Sequence, residues 1–154
     1  MAEGSGGKHF SIEFDISRLR GILDNAKDTI GLAVKYTAEF VWSEIRKTAP
    51  VDHGRLAGSF AMEEMGHWSY RIFSNVHYAL FVHEGTGIYG PEKHRIVPRQ
   101  ANALSFFWKK AGKHMVVKSV AGMKGRPYAD KAIESAVPRI DEFVLMAISE
   151  NFKE

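Results

Sequence analysis

The chain of 154 residues contains no cysteine. This absence excludes disulfide bonds and thiolate metal sites, and it removes the usual sign of a small secreted domain. The sequence also lacks a signal-peptide pattern and any apolar run long enough to span a bilayer, about 18 residues. Together these absences predict a soluble protein of a reducing cytoplasm that has no membrane partner.

Acidic residues are missing from one long segment, Lys93 to Arg126, which holds nine Lys or Arg. The rest of the chain has 12 basic and 18 acidic residues, a balance of −6, although the whole chain carries +3. A basic block on an acidic body can steer an anionic partner, either nucleic acid or an acidic protein face. The alternative is that these cations are solvated loop residues that keep strand edges from pairing with other chains.

The length and composition predict one folded domain. A hydrophobic fraction of 45% with 12% aromatic residues is typical of globular proteins, and 154 residues suffice to bury a core. The glycine-rich start favours a flexible N-terminal tail over residues 1–14. Residues 15–154 are interpreted as a single α+β domain.

Two helices are predicted from apolar residues that recur at spacings of three and four. The first covers residues 17–48 and ends before Pro50, which disfavours the helical conformation of the preceding residue. The second begins at Tyr128 and continues to the C-terminal region. Pro138 lies inside it and is expected to kink the helix or divide it in two.

Strands are predicted between the helices. Leu56–Met62 and Ser69–Ser74 are interpreted as two strands, with residues 63–67 as their hairpin turn. Val76–Glu84 is interpreted as a short helix that Gly85 ends. The following segment, Gly85–Arg95, has the composition of a mobile loop.

Three further strands are predicted in the basic half of the sequence. They are Ile96–Val97, Leu104–Trp108 and Met115–Val120, and a turn over residues 109–113 joins the last two as a hairpin. The predicted fold class is therefore α+β, with a curved antiparallel sheet packed against a long N-terminal helix and a C-terminal helix.

The search for catalytic or cofactor chemistry finds weak patterns. His77, His83 and Glu84 are the nearest approach to a metal site, but they match no His-Glu-x-x-His helix or finger spacing. A metal-dependent hydrolase acting through them stays an alternative hypothesis. No nucleophile elbow is present, and Gly85-Thr-Gly-x-x-Gly90 is followed by Pro91 instead of a helix, as a dinucleotide site would require. The expectation is no enzyme, no metal and no cofactor.

Nucleic-acid binding is a second alternative. Cations of the basic segment are interleaved with Phe106, Phe107 and Trp108, a mixture that can hold phosphates and stack bases. The favoured interpretation is different. Three consecutive aromatic residues on a strand are expected to bury at least one face as sheet core, and the neighbouring charges to keep the hairpin turn in solvent.

Three short segments, in order, resemble one known family. They are Ala49-Pro-Val-Asp-His-Gly-Arg-Leu56, Tyr78-Ala-Leu-Phe-Val-His-Glu-Gly-Thr86 and Gly125-Arg-Pro-Tyr-Ala-Asp-Lys-Ala132. The chain is similar over residues 15–150 to the minor tail, or tail-completion, proteins that join head and tail in long-tailed bacteriophages. His53 stands where that family commonly has threonine, Tyr128 replaces a phenylalanine, and Lys131 replaces a proline.

The resemblance implies a structural virion protein that acts through interfaces. It implies a homo-oligomeric ring, with a hexamer favoured, at the neck of a phage or prophage-derived particle assembled in the bacterial cytoplasm. The implied partners are neighbouring tail-terminator or tail-tube proteins and head-connector proteins, and DNA passing through the ring. Loop composition and the basic segment together place the predicted partner contacts at Glu84, Gly85, Thr86, Tyr89, Arg95, Arg99, Lys109, Lys110 and Lys113.

Overall fold

The computed structural model describes residues 10–15, 27–51, 54–66 and 68–151. Its contacts group into two compact units. The first comprises residues 1–79 and 128–154, and the second comprises residues 80–127. The placement of residues 15–154 in a single domain stays a prediction, and each unit is described by itself below.

The longest element of the first unit is helix α1, Lys27–Thr48. Its buried residues lie on one stripe with helical spacing, and Val34, Val41 and Ile45 are almost completely buried. The helix ends just before Pro50, and the Ala49 amide still donates to the Ile45 carbonyl at 2.8 Å. The prediction of a long helix is confirmed over the described part; its first residues, 17–26, lie outside the described residues.

A three-stranded antiparallel sheet packs against α1. Its strands are β1 (Phe10–Asp15), β2 (Phe60–Gly66) and β3 (Ser69–Ser74), in the order β1-β3-β2. Along β3 the buried side chains alternate with half-buried ones, because successive residues of a strand point to opposite faces.

The two faces of the sheet have different chemistry. Ile72 of β3 is fully buried, and Tyr70 joins a core cluster with Val34 of α1. On the other face the Arg71 guanidinium contacts Glu13 at 3.0 Å and Glu63 at 3.3 Å. The hydrogen bond to Glu13 is the main cause that raises the pKa of Arg71. Arg71 of β3 therefore links β1 and β2 through ion pairs on the outer face of the sheet.

Three sequence-based assignments in this unit need correction. Residues 10–14, placed in the flexible tail, form β1 together with Asp15, and they pair with the full length of β3. Residues 56–58, assigned to a strand, belong to the short helix α2 (Arg55–Gly58), which follows a left-handed Gly54 and buries Leu56. Residues 63–66, assigned to the turn, belong to β2, and a register shift between Glu64 and Gly66 shortens the hairpin connection. The remaining turn residue, His67, lies outside the described residues.

The C-terminal part forms two helices instead of one. Helix α4 covers Tyr128–Ala136 and helix α5 covers Ile140–Asn151, with a 3₁₀ turn over Val137–Arg139 between them. The predicted effect of Pro138 is confirmed, since it lies in that turn. Both helices pack on α1, where the Phe40 and Phe143 ring centroids lie 5.4 Å apart.

The second and third motif segments meet at Tyr128 in the first unit, together with the last residue of α1. The Tyr128 hydroxyl donates to the Ala79 carbonyl at 2.9 Å, and the Thr48 hydroxyl donates to the Tyr128 carbonyl at 3.1 Å. The Tyr128 ring meets the Phe60 ring edge to face at 5.6 Å. Burial raises the pKa of Tyr128, so its hydroxyl keeps its proton and acts as a donor.

Helix α3 covers Ala79–Glu84, which confirms the short helix predicted there. The second unit begins at its second residue, Leu80. A 3₁₀ turn over Gly87–Tyr89 follows. Strands β4 (Leu104–Trp108) and β5 (Lys113–Val117) form an antiparallel ribbon, as predicted. The predicted strand at Ile96–Val97 is reduced to a single bridge between Ile96 and Val120. The fold class, α+β with antiparallel sheets, a long N-terminal helix and a C-terminal helix, is confirmed.

Candidate functional site

All nine residues predicted to contact partners lie in the second unit, residues 80–127. This unit holds nine Lys or Arg and two acidic residues, Glu84 and Glu92, so its formal charge is 9 − 2 = +7. The remainder of the chain holds 12 basic and 16 acidic residues, a formal charge of −4. The candidate site is therefore a strongly basic unit of an otherwise acidic chain.

The glycine-rich segment after α3 is held by backbone pairing. The Thr86 amide donates to the Met123 carbonyl at 2.8 Å, and the Ile88 amide donates to the Ala121 carbonyl at 2.8 Å. In return the Met123 amide donates to the Thr86 hydroxyl at 3.0 Å. We call these two paired segments, residues 84–90 and 121–125, the glycine seam. The segment expected to be a mobile loop has regular hydrogen bonds at its start.

Close backbone approach explains why this seam contains so many glycines. A Cβ atom at Gly125 would lie 2.5 Å from the carbonyl carbon of Glu84, and one at Gly85 would lie 2.6 Å from the Gly125 amide nitrogen. A Cβ atom at Gly87 would overlap the Ala121 carbonyl oxygen, and Gly87 also has a positive φ of 66°. The Gly-x-Gly-x-x-Gly pattern therefore serves backbone packing here, and a 3₁₀ turn stands where a dinucleotide site needs a helix N-terminus.

Three of the predicted contact residues, Glu84, Gly85 and Thr86, lie at the start of the glycine seam. Gly85 is buried, and Thr86 is half-buried with its hydroxyl bonded to Met123. Glu84, at the end of α3, is exposed. Only Glu84 of these three thus presents an exposed side chain.

Tyr89 lies within the seam, and Arg95 and Arg99 follow it in the chain. The Tyr89 ring is 44% exposed, and the Lys124 ammonium lies 5.7 Å from its centroid. The Arg95 Nε atom donates to the Ser119 hydroxyl at 2.9 Å, beside the bridge between Ile96 and Val120. Arg99 is exposed in the following loop.

The three predicted lysines lie at the tip of the ribbon formed by β4 and β5. Lys109 and Lys110 occupy a 3₁₀ turn, Gly112 closes it with φ 61°, and Lys113 starts β5 opposite Trp108. All three lysines are exposed. The structure therefore brings them together at one end of the ribbon.

The aromatic residues of β4 differ from the expectation that one face is buried. Phe106 is 39% exposed, Phe107 60% and Trp108 48%. Opposite Ser105 on β5, Val116 is 66% exposed. Burying one face of a strand requires a layer packed over it, and both faces of this two-stranded ribbon remain accessible in the isolated chain.

The ribbon is thus a surface that sequence reasoning assigned to the core. Its two faces carry exposed apolar side chains, and its tip carries lysines. The available signal was the three consecutive aromatic residues. Alternation places neighbours on opposite faces of a strand, and a two-stranded ribbon cannot cover both.

The structure offers little support for the metal hypothesis. Within the described ranges, no group of three or more His, Asp or Glu is placed to hold a metal ion. Two open grooves lie in the first unit, one bordered by Arg55, Asn75 and His77 and the other by Trp42 and Arg46. The described residues that line these grooves include no carboxylate.

Of the helices in the described part of the chain, none combines the length and the apolar character needed to cross a bilayer.

Comparison with known proteins gives one match. Residues 16–85 match the family model described as "Bacteriophage HK97-gp10, putative tail-component". The match covers the first motif segment and the second as far as Gly85, and it ends before the third. No curated protein and no solved structure was found to match the chain. Over residues 16–85 the chain is similar to a phage tail component, so the resemblance to phage tail proteins is confirmed over this part of the chain.

Proposed function

We propose that this protein is a subunit of a ring at the head–tail junction of a long-tailed phage or prophage-derived particle. In this role it self-associates, with a hexamer favoured, and contacts the neighbouring tail-terminator or tail-tube and head-connector proteins. It acts through interfaces and catalyses no reaction. The protein would join the virion neck after assembly in the bacterial cytoplasm.

The observation that carries the proposal is the exposed ribbon of a chain that matches phage tail components. Phe106, Phe107 and Trp108 are each more than one-third exposed. Such an aromatic surface is unfavourable in water unless a partner covers it. The lysines at its tip add the charge that orients a partner during encounter. The family match supplies the class of assembly, and the ribbon supplies a surface for making it.

Loss of the protein tests the proposed place in the particle. Deleting the coding sequence from the phage or prophage is expected to leave filled heads and separate tails, which electron microscopy distinguishes from joined virions. Joined, infective particles without the protein would contradict the proposal.

Charge reversal then tests the ribbon. The triple variant Lys109→Glu, Lys110→Glu, Lys113→Glu is expected to fold normally, since all three side chains are exposed, and to lower the yield of joined particles by at least about tenfold. Lys35→Glu with Lys47→Glu is the control, because these are exposed lysines of α1 in surface ion pairs. Equal yields from both variants would remove the ribbon tip from the assembly role.

Nucleic-acid binding is the second candidate function. It is favoured by exposed aromatic rings beside lysines, since bases can stack on accessible rings while ammonium groups bind phosphates. Binding would weaken steeply with salt, because each phosphate contact releases counterions. A gel-shift series at low salt that shows no complex with single- or double-stranded DNA would exclude it.

A further inference from the structure

We infer that the β4–β5 ribbon of one copy docks on the outer face of helices α4 and α5 of a second copy. This inference rests on the proposed function and names the two surfaces by which the chain would self-associate. The ribbon belongs to the second unit and the helices to the first. The contact therefore joins two different surfaces and is head to tail.

The ribbon presents basic and aromatic side chains on two strands of five residues each, β4 and β5. Phe107 and Val116 are 60% and 66% exposed. The register pairs Ser105 with Val116 and Phe107 with His114, so Phe107 and Val116 are diagonal neighbours on the two strands. Lys110 and Lys113 stand at the tip. A partner for this surface needs apolar contacts along the strands and negative charge near the turn.

The outer face of α4 and α5 has the opposite charge and its own exposed apolar residues. Residues 128–151 hold five acidic and two basic side chains, a balance of −3. Glu134, Val137, Asp141 and Leu145 recur at spacings of three and four along α4, the 3₁₀ turn and α5, and all four are exposed. We call these four residues the acidic stripe.

The acidic stripe faces away from the core. Ala132, Ala136, Phe143 and Ala147 form the buried side of the same helices, whereas Val137 is 58% and Leu145 65% exposed. Glu134 and Asp141 are exposed as well. Two large apolar side chains thus remain in water and alternate with two carboxylates on the outer side of the helices.

The two surfaces are opposite in charge and similar in extent. The four steps of β4 from Leu104 to Trp108 extend for about 13 Å at 3.3 Å per step. Glu134 and Leu145 lie eleven steps apart across α4, the 3₁₀ turn and α5, about 16 Å along a helical path. Phe107 and Val116 could therefore lie against Val137 and Leu145 while the lysines at the tip meet carboxylates of the stripe. DNA would satisfy the lysines but would leave the apolar residues of the stripe exposed, so a second copy fits more of the observations.

A head-to-tail contact between identical chains repeats. Each copy offers one ribbon and one acidic stripe. Two copies joined through one ribbon and one stripe therefore leave the other ribbon and the other stripe free to bind further copies. Such contacts form a closed ring if the rotation between copies returns to the start, and an open filament otherwise. This is the kind of contact that a ring subunit needs.

A charge exchange tests the inference. Variant A carries Lys110→Glu and Lys113→Glu, and variant B carries Glu134→Lys and Asp141→Lys. Each alone places like charges across the contact, so self-association is expected to weaken at least about tenfold, as read by analytical ultracentrifugation. Mixing A with B restores opposite charges at one junction and leaves the native pair at the other. Association should therefore return only in the mixture, as alternating assemblies.

Matched controls separate this effect from general loss of charge. Lys35→Glu with Lys47→Glu controls for variant A, and Glu39→Lys with Glu92→Lys controls for variant B; all four positions carry exposed ion-paired side chains. Circular dichroism checks that every variant keeps its helices. A photoreactive residue at position 107, with light and heavy isotope-labelled copies mixed, should give cross-links between chains to residues 134–145.

Each outcome has a defined meaning. Self-association of A and B at wild-type strength, or a mixture no stronger than either variant, would overturn the inference. If variant A loses DNA binding but keeps self-association, the ribbon serves nucleic acid instead. The proposed function is decided separately by the deletion strain: separate heads and tails support it even when the charge exchange fails, and joined particles contradict it.

Discussion

The hydroxyl group of Tyr128 donates a hydrogen bond of 2.9 Å to the backbone carbonyl of Ala79, and both groups are buried. These residues belong to the third and second motif segments and lie 49 positions apart in the chain. The first segment follows Thr48, whose hydroxyl bonds to the Tyr128 carbonyl. The second and third motif segments therefore meet inside the first unit, beside the residue that precedes the first segment.

Removing this hydroxyl tests its structural role. Tyr128→Phe would leave the Ala79 carbonyl buried without its side-chain donor, and the free energy of unfolding is expected to fall by about 1–3 kcal/mol. Urea unfolding followed by circular dichroism measures it. Tyr78→Phe is the control, because Tyr78 is 39% exposed and water can replace its contacts. Equal stability of the two variants would show that the bond contributes nothing.

The glycine seam is tested by two glycines with similar backbone angles. Gly87 has φ 66° and meets the Ala121 carbonyl, whereas Gly112 has φ 61° and open space where a Cβ would be. Gly112→Ala should cost about 1 kcal/mol from left-handed strain alone. Gly87→Ala adds a backbone overlap and should cost about 3 kcal/mol or more.

Hydrogen exchange locates the effect of these substitutions. In Gly87→Ala, the amides of Thr86 and Ile88 should lose protection because their bonds to Met123 and Ala121 open. In Gly112→Ala the same amides should stay protected. Similar protection in both variants would mean that the seam tolerates a side chain and that its glycines have another role.

The exposed ribbon predicts that stability and assembly respond separately. Phe107→Ser should change the free energy of unfolding by about 1 kcal/mol or less, because the ring is already 60% exposed. The yield of joined particles should nevertheless fall. Phe143→Ser is the contrast, since Phe143 is 5% exposed and its loss should cost about 3–5 kcal/mol. A ribbon variant that assembles at the wild-type level would argue against contact at this face.

The pair of Arg139 and Glu142 predicts a pH dependence. The guanidinium Nε and Nη2 atoms donate to the two carboxylate oxygens at 2.8 and 2.9 Å, and these hydrogen bonds hold the pKa of Glu142 below its ordinary value of 4.5. The ionised carboxylate therefore stabilises the folded chain above that value. The contribution disappears as the pH falls through the lower folded pKa.

The measurement compares wild type with Glu142→Gln across pH. The wild type should be slightly more stable at neutral pH, and the difference should vanish at strongly acid pH once the carboxylate is protonated. Because both side chains are about half exposed, high salt should reduce the difference as well. Glu134→Gln, on the exposed side of α4, is the control. A difference that stays constant from neutral to acid pH would contradict the ionic origin.

The sequence alone determined the helices and the ribbon. Apolar spacing identified α1 over its described length, and Pro138 marked the division between α4 and α5, because proline removes a donor wherever it stands. The turn at residues 109–113 was visible from its lysines and Gly112. These features depend on neighbours in the chain, so no tertiary contact had to be known.

Tertiary contacts decided which conformation the short segments adopt. Residues 10–15 became a strand because β3 offered them a partner, and Leu56 became helical because α2 buries it. Gly85, Gly87, Gly122 and Gly125 of the seam could be read from sequence only as loop residues, since their closest neighbours lie more than thirty positions away.

The candidate site shows the same division. Sequence patterning located the basic segment and its lysines, because charge is a property of single residues. Whether Phe106, Phe107 and Trp108 formed a core or a surface depended on how many layers cover the ribbon, and only the fold fixes that number. Residue type and local spacing thus determined the elements, and long-range packing decided which apolar residues remain accessible to a partner.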